Sequence, residues 1–79
     1  MSNFTVRQGQ RYRAVIRLSL LEQLAGNEVI GERLRDAGFI DVEVTGQGAM
    51  RRAEATWSKE DASAPLPSQV VEVTEISSA

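Results

Sequence analysis

Arg11, Arg13 and Arg17 are spaced by two and by four along one short stretch. Side chains of a strand alternate between its two faces, so this spacing puts all three on one face. Arg52 joins them if its strand shares their sheet. Guanidinium groups in such a stripe suit anions, and nucleic-acid phosphates are the common case. Sheets that read RNA add aromatic residues on the same face to stack bases. Here Tyr12 and Trp57 fall on the opposite face, and Phe39 sits at a strand start. The acids Asp41, Glu43, Glu54 and Glu72 share the arginine face. The stripe therefore reads first as a solvated face crossed by Arg–carboxylate pairs. Anion or nucleic-acid binding through Arg11, Arg13, Arg17 and Arg52 is the alternative.

Other chemistries have less to work with. Asp41 and Glu43 could chelate a hard cation, but they lack EF-hand spacing and the Asn and Gly that shape such loops. Gly46-Gln47-Gly48 precedes a strand rather than a helix, so it reads as a hairpin turn and not as a phosphate cradle. Serines are present, but with no histidine a Ser-His-Asp arrangement cannot form. With no cysteine either, thiol chemistry, disulfides and a zinc site of nitrogen and sulfur ligands are excluded for this chain alone. Lys59 is the single lysine. The expectation is a protein that is not an enzyme and has no cofactor and no metal. Trp57 either anchors the core or serves as an interface anchor.

These side chains need a scaffold, and 79 residues supply one domain. A chain this short buries only about 60–65% of its extended surface, so the core is thin. Small domains often add disulfides, a metal or a partner subunit, and association is the support left open here. The net charge of −2 favours neither wholesale nucleic-acid binding nor an acidic tail. No segment approaches the roughly 20 apolar residues of a membrane span, and Met1–Gln10 has no apolar signal region. A cytoplasmic protein without membrane attachment is expected.

Alternation over Tyr12, Ala14, Ile16 and Leu18 predicts a half-buried strand from about Gln10 to Ser19. Phe4 and Val6 suit a short strand before it, with Gly9 at the bend. Ser19 and Glu22 have capping-box spacing, so a helix can start there, with Leu20, Leu24, Asn27, Gly31 and Leu34 on one face. Gly26-Asn27 lowers helix propensity, and a second possibility starts the main helix at Asn27. Either way the helix covers about Glu28–Ala37, Gly31 allows close approach to the sheet, and Gly38 ends it. Strands follow over Phe39–Thr45, Met50–Ser58 and Gln69–Ile76. Lys59–Ser68 reads as a loop because of Pro65 and Pro67. Ser77–Ala79 should fray.

The expected fold is α+β, a two-layer sandwich of order β-α-β-β-β with one main helix on one face of a small mixed sheet. A split β-α-β, the half of a ferredoxin-like fold, would place the third strand between the first two. Its inward alanines suit a central place. Charge pairing favours the last strand beside the first, but it argues mildly against setting the two arginine-bearing strands together. The stretch Leu34–Phe39 resembles the helix–glycine–strand junction of many small α/β modules, peptidoglycan-binding SPOR repeats among them. That likeness covers about the first two-thirds of the chain and ends at Lys59–Ser68, which holds no second helix. No family is assigned on it. The function expected is a non-catalytic interaction or assembly module. It would be a homo-oligomer or bind a protein partner through the uncovered sheet face or an edge strand.

Overall fold

The computed structural model describes residues 3–65 and 67–76, and the expected fraying of 77–79 lies outside them. The chain forms β1 (Asn3–Val6), β2 (Arg11–Arg17), a 3-10 turn (Glu22–Leu24), α1 (Asn27–Ala37), β3 (Phe39–Gln47), β4 (Met50–Trp57), β5 (Ala62–Pro65) and β6 (Val70–Ile76). This is an α+β arrangement of roughly two layers, with one helix and antiparallel strand pairs. β1 is the short strand that Phe4 and Val6 suit, and β5 stands outside the expected elements. β5 lies inside the stretch read as a Pro-containing loop and pairs antiparallel with β1. Proline is tolerated there because Pro65 ends a strand of a two-stranded ribbon and no inner ladder needs its N–H.

The remaining strands form one sheet in the order β3-β4-β2-β6. β4 therefore lies between β2 and β3, and β6 lies beside β2. The two arginine-bearing strands β2 and β4 are neighbours, against the weak charge argument. Their register removes the conflict, because Arg11 faces Thr56, Arg13 faces Glu54, Val15 faces Arg52 and Arg17 faces Met50. No two arginines stand directly opposite each other.

β4 explains its central place by the residues it turns inward. Arg51, Ala53, Ala55 and Trp57 are all buried and share one face. The alanines leave room in the middle for Ile30 and Leu34 of α1, which pack with Ile16, Leu18, Ala53 and Val44. The two large residues stand at the ends of the row. Trp57 packs edge-on against Phe39 at 4.9 Å and donates its indole N–H to the Glu60 carbonyl at 2.7 Å. It lies against Gly38, the residue that ends α1 with φ of +125°. A Cβ there would come within 3.1 Å of the indole and 2.8 Å of the Lys59 side chain, so glycine serves both the backbone angle and the packing. Gly31 is buried, but a Cβ on it would first meet the Arg35 guanidinium at 3.5 Å. That is ordinary van der Waals contact and no atom of the sheet is nearer, so the close approach to the sheet expected of Gly31 does not occur.

The β1·β5 ribbon folds back on the same side over Tyr12. Phe4 meets the Tyr12 ring edge-on at 5.2 Å, and the Tyr12 hydroxyl accepts from the Arg7 amide at 2.7 Å.

Candidate functional site

The face of the sheet opposite α1 holds the arginine stripe, and the strand register lays it out in rows. One row runs Ile40, Thr56, Arg11, Ile76; the next runs Glu43, Glu54, Arg13, Thr74; the third runs Thr45, Arg52, Val15, Glu72. Glu43 and Glu54 stand directly opposite, an arrangement that is unfavourable unless a cation lies between them. Arg11 is that cation. It reaches Glu43 at 3.7 Å and Glu54 at 3.9 Å, and donates to the Thr56 hydroxyl at 3.2 Å and the Asp41 carbonyl at 3.0 Å. Arg13 pairs with the other oxygen of Glu54 at 3.3 Å. Arg11 and Arg13 are thus engaged in holding β2, β3 and β4 together. Arg17 and Arg52 are exposed and form no ion pair among the described residues.

The aromatic residues are absent from this face. Tyr12 and Trp57 point to the helix side, and Phe4 and Phe39 pack on them. Asp41 sits in a bulge of β3 with φ of +51°, which interrupts the alternation that would have set it in register with Glu43. No group of three potential metal-ligating side chains occurs among the described residues. No helix of those residues is long and apolar enough to cross a membrane.

The most exposed large apolar side chains among the described residues lie elsewhere. Leu20, Leu21 and Leu24 are 84%, 81% and 84% exposed. A continuous helix would have turned Leu20 and Leu24 onto the face of Leu34. The helix breaks instead at Ala25 and Gly26, both extended in backbone, and α1 starts afresh at Asn27. The capping box forms, but on the 3-10 turn. The Ser19 amide donates to Glu22 at 2.8 Å, and the Glu22 amide donates to the Ser19 hydroxyl at 3.3 Å.

This leucine turn is pinned on two sides. The Gln69 side chain, next to the start of β6, donates to Glu22 at 2.7 Å. Arg51 reaches it from the core. That guanidinium is buried, and among the described residues no carboxylate pairs with it. Its partners are carbonyl and amide oxygens, namely Gln23 at 3.2 Å, Ala25 at 3.1 Å, Gly48 at 3.0 Å and the Asn27 side chain at 2.7 Å. The planar fork of arginine suits this convergent set in a way an ammonium does not. Asn27 in turn donates to the Gly46 carbonyl at 3.2 Å, closing the link between the turn, the start of α1 and the β3–β4 hairpin. Charge counting along the sequence misses this role of Arg51. Its parity with Ala53, Ala55 and Trp57 is the signal that it points inward.

Comparison with family profiles, curated proteins and solved structures finds no match for this chain.

Two titrations bound the stability of this arrangement. The hydrogen bonds from Gln69 and from Ser19 hold the Glu22 carboxyl below its ordinary value. Its contribution is present above the ordinary carboxylate range and is lost as pH falls through the lowered value. Burial pushes the Tyr12 hydroxyl up, and its hydrogen bond to Glu75 acts in the same direction. That contribution is present below the ordinary tyrosine range and is lost as pH rises through the raised value. The urea midpoint should be flat from about pH 5 to 9 and fall on both sides. Glu22→Gln should shrink the acid limb and Tyr12→Phe the alkaline limb, and unchanged limbs in these variants would contradict both assignments.

Proposed function

We propose that the chain is a non-catalytic interaction module that associates with copies of itself. One observation carries this. Three leucines are displayed at more than 80% exposure on a turn held by hydrogen bonds from two sides. A domain with a thin core has few large apolar side chains, and burying them is its main source of stability. Presenting three of them on a fixed platform fits a surface that is covered on association. The fold is read here as a split β-α-β core of the ferredoxin-like kind, with the β1·β5 ribbon added to it.

Anion binding, the other reading, has Arg17 and Arg52 to draw on, since Arg11 and Arg13 are engaged with acids. No further feature of the arginine face favours it over self-association.

Sedimentation velocity over a concentration series tests the proposal. The wild-type chain is expected to show a concentration-dependent rise in sedimentation coefficient. The double variant Leu21→Glu, Leu24→Glu should keep wild-type stability to within about 0.5 kcal/mol, because both side chains are in water already. Its association should weaken by about tenfold or more, about 1.4 kcal/mol or more. A strictly monomeric wild-type chain at every concentration would refute the proposal.

A further inference from the structure

We infer that the β1·β5 ribbon is a strap that lifts off Tyr12 as one unit while the four-stranded sheet and α1 stay folded. This holds for the single chain, whether or not copies associate. The inward face of the sheet has two covers, and they are fastened differently. α1 sets Ile30 and Leu34 into the cluster of Ile16, Leu18 and Ala53. The ribbon lies over Tyr12, which is in register with Ala55 and Glu75. Among the described residues, none of the ribbon belongs to the core cluster.

The ribbon is tied at its ends and lightly held between them. At one end the Gly9 amide donates to the Trp57 carbonyl at 2.8 Å, the Trp57 amide donates to Gln10 at 3.0 Å, and the Gln8 amide donates to Asp61 at 2.9 Å. At the other, the Val70 amide donates to the Pro67 carbonyl at 3.0 Å. Between these ties, no hydrogen bond or ion pair among the described residues joins Asn3–Val6 or Ala62–Pro65 to the sheet. The Thr5–Ser63 hydroxyl bond at 2.7 Å stays within the ribbon. Phe4 on the Tyr12 ring is one hold. The other is the Tyr12 hydroxyl, which accepts from the Arg7 amide just beyond β1 and donates to Glu75 at 3.2 Å. A two-stranded ribbon is marginal alone in water, so its closure rests on these contacts with Tyr12. Gly9, with φ of +83° and nothing within 4 Å of where a Cβ would stand, is an unobstructed pivot. Units with few buried contacts open at a lower free energy than the whole fold. Lifting bares the Tyr12 ring, which is only 4% exposed when the strap is closed.

Native-state amide exchange at rising urea tests the strap. The protected amides of β1 and β5 should exchange as one group, about tenfold or more faster than those of β2 and β4. Their rates should depend little on urea, since lifting exposes little surface. Leu34→Ala weakens the packing of α1, which lifting leaves intact. It should quicken the β2 and β4 amides about tenfold and leave the ribbon amides within about twofold of wild type. Ile30→Val trims the same packing more gently and should give the same pattern at about threefold, so the test stands even if Leu34→Ala fails to fold. Phe4→Ala removes a contact that is lost in lifting and in global unfolding alike. It should therefore quicken both groups by one common factor, about fivefold or more. Ribbon amides that quicken together with those of β2 and β4 in Leu34→Ala or Ile30→Val would show a single cooperative unit and overturn the strap. So would ribbon amides that Phe4→Ala leaves unmoved, or that exchange in the wild type as fast as in an unstructured chain.

Discussion

Arg51→Met is expected to destabilise the fold by about 3 kcal/mol, a large share of the stability of so small a domain. The substitution keeps the apolar stem and removes every donor. The Gln23, Ala25 and Gly48 carbonyls and the Asn27 side chain then lose their common partner. Hydrogen bonds to a charged group contribute about 1.5–3 kcal/mol each, but four on one guanidinium are not additive. Burial keeps water from replacing the fork fully. Arg51→Lys restores the charge without the planar fork and should recover less than half of the loss. Urea unfolding followed by circular dichroism reads both variants. Amide exchange at Leu24 and Ala25 should quicken in parallel, since the turn loses its hold from the core side. A loss below about 1 kcal/mol for Arg51→Met would mean that the turn is held from the Gln69 side alone.

Trp57→Ala is expected to cost about 3–5 kcal/mol and to leave little folded protein at 37 °C. Trp57 is the opposite end of the same inward row. Its ring fills the space between Phe39 and the end of α1, and its indole N–H satisfies the Glu60 carbonyl. Its backbone also joins the β1–β2 turn, donating to Gln10 at 3.0 Å and accepting from Gly9 at 2.8 Å. Trp57→Phe keeps most of the ring contact and loses the donor, so a smaller loss of about 1–2 kcal/mol should follow. Thermal unfolding separates the two variants. Equal losses would show that the indole N–H, and not the packing, is what matters.

Both residues bear on how much of the structure is legible in the sequence. Period-two alternation locates β2, β3, β4 and β6, because a half-buried strand must alternate. The alanines of β4 point correctly to its central place, since only small side chains fit beneath Ile30 and Leu34. Charge counting by strand fails there, because cross-strand energy depends on which residues face each other and not on strand totals. The same argument does place β6 beside β2. β5 escapes a reading that takes the stretch as a loop because its prolines forbid a helix or a central strand, whereas the end of a two-stranded ribbon tolerates proline.

The candidate site is less legible. Leu20 and Leu24 fit a helical face with Leu34 by spacing alone. Ala25 and Gly26 decide otherwise by taking extended backbone, and that choice depends on carbonyls gathered by Arg51 from 26 and 28 positions away along the chain. No local pattern encodes such a contact. The arginine face does follow from the sequence as a surface crossed by ion pairs, with Arg11 and Arg13 paired to acids. The sequence points to the uncovered sheet face or an edge strand as the place to seek a partner surface. The exposed leucines move that search to one end of the sheet.

Sedimentation velocity on the wild-type chain beside the Leu21→Glu, Leu24→Glu variant tests the central claim most directly. The expected result is reversible association of the wild-type chain that rises with concentration, with a variant equally stable to urea but monomeric over the same range. A wild-type chain that sediments as a monomer at every concentration would contradict it, as would a variant that associates as strongly as the wild type.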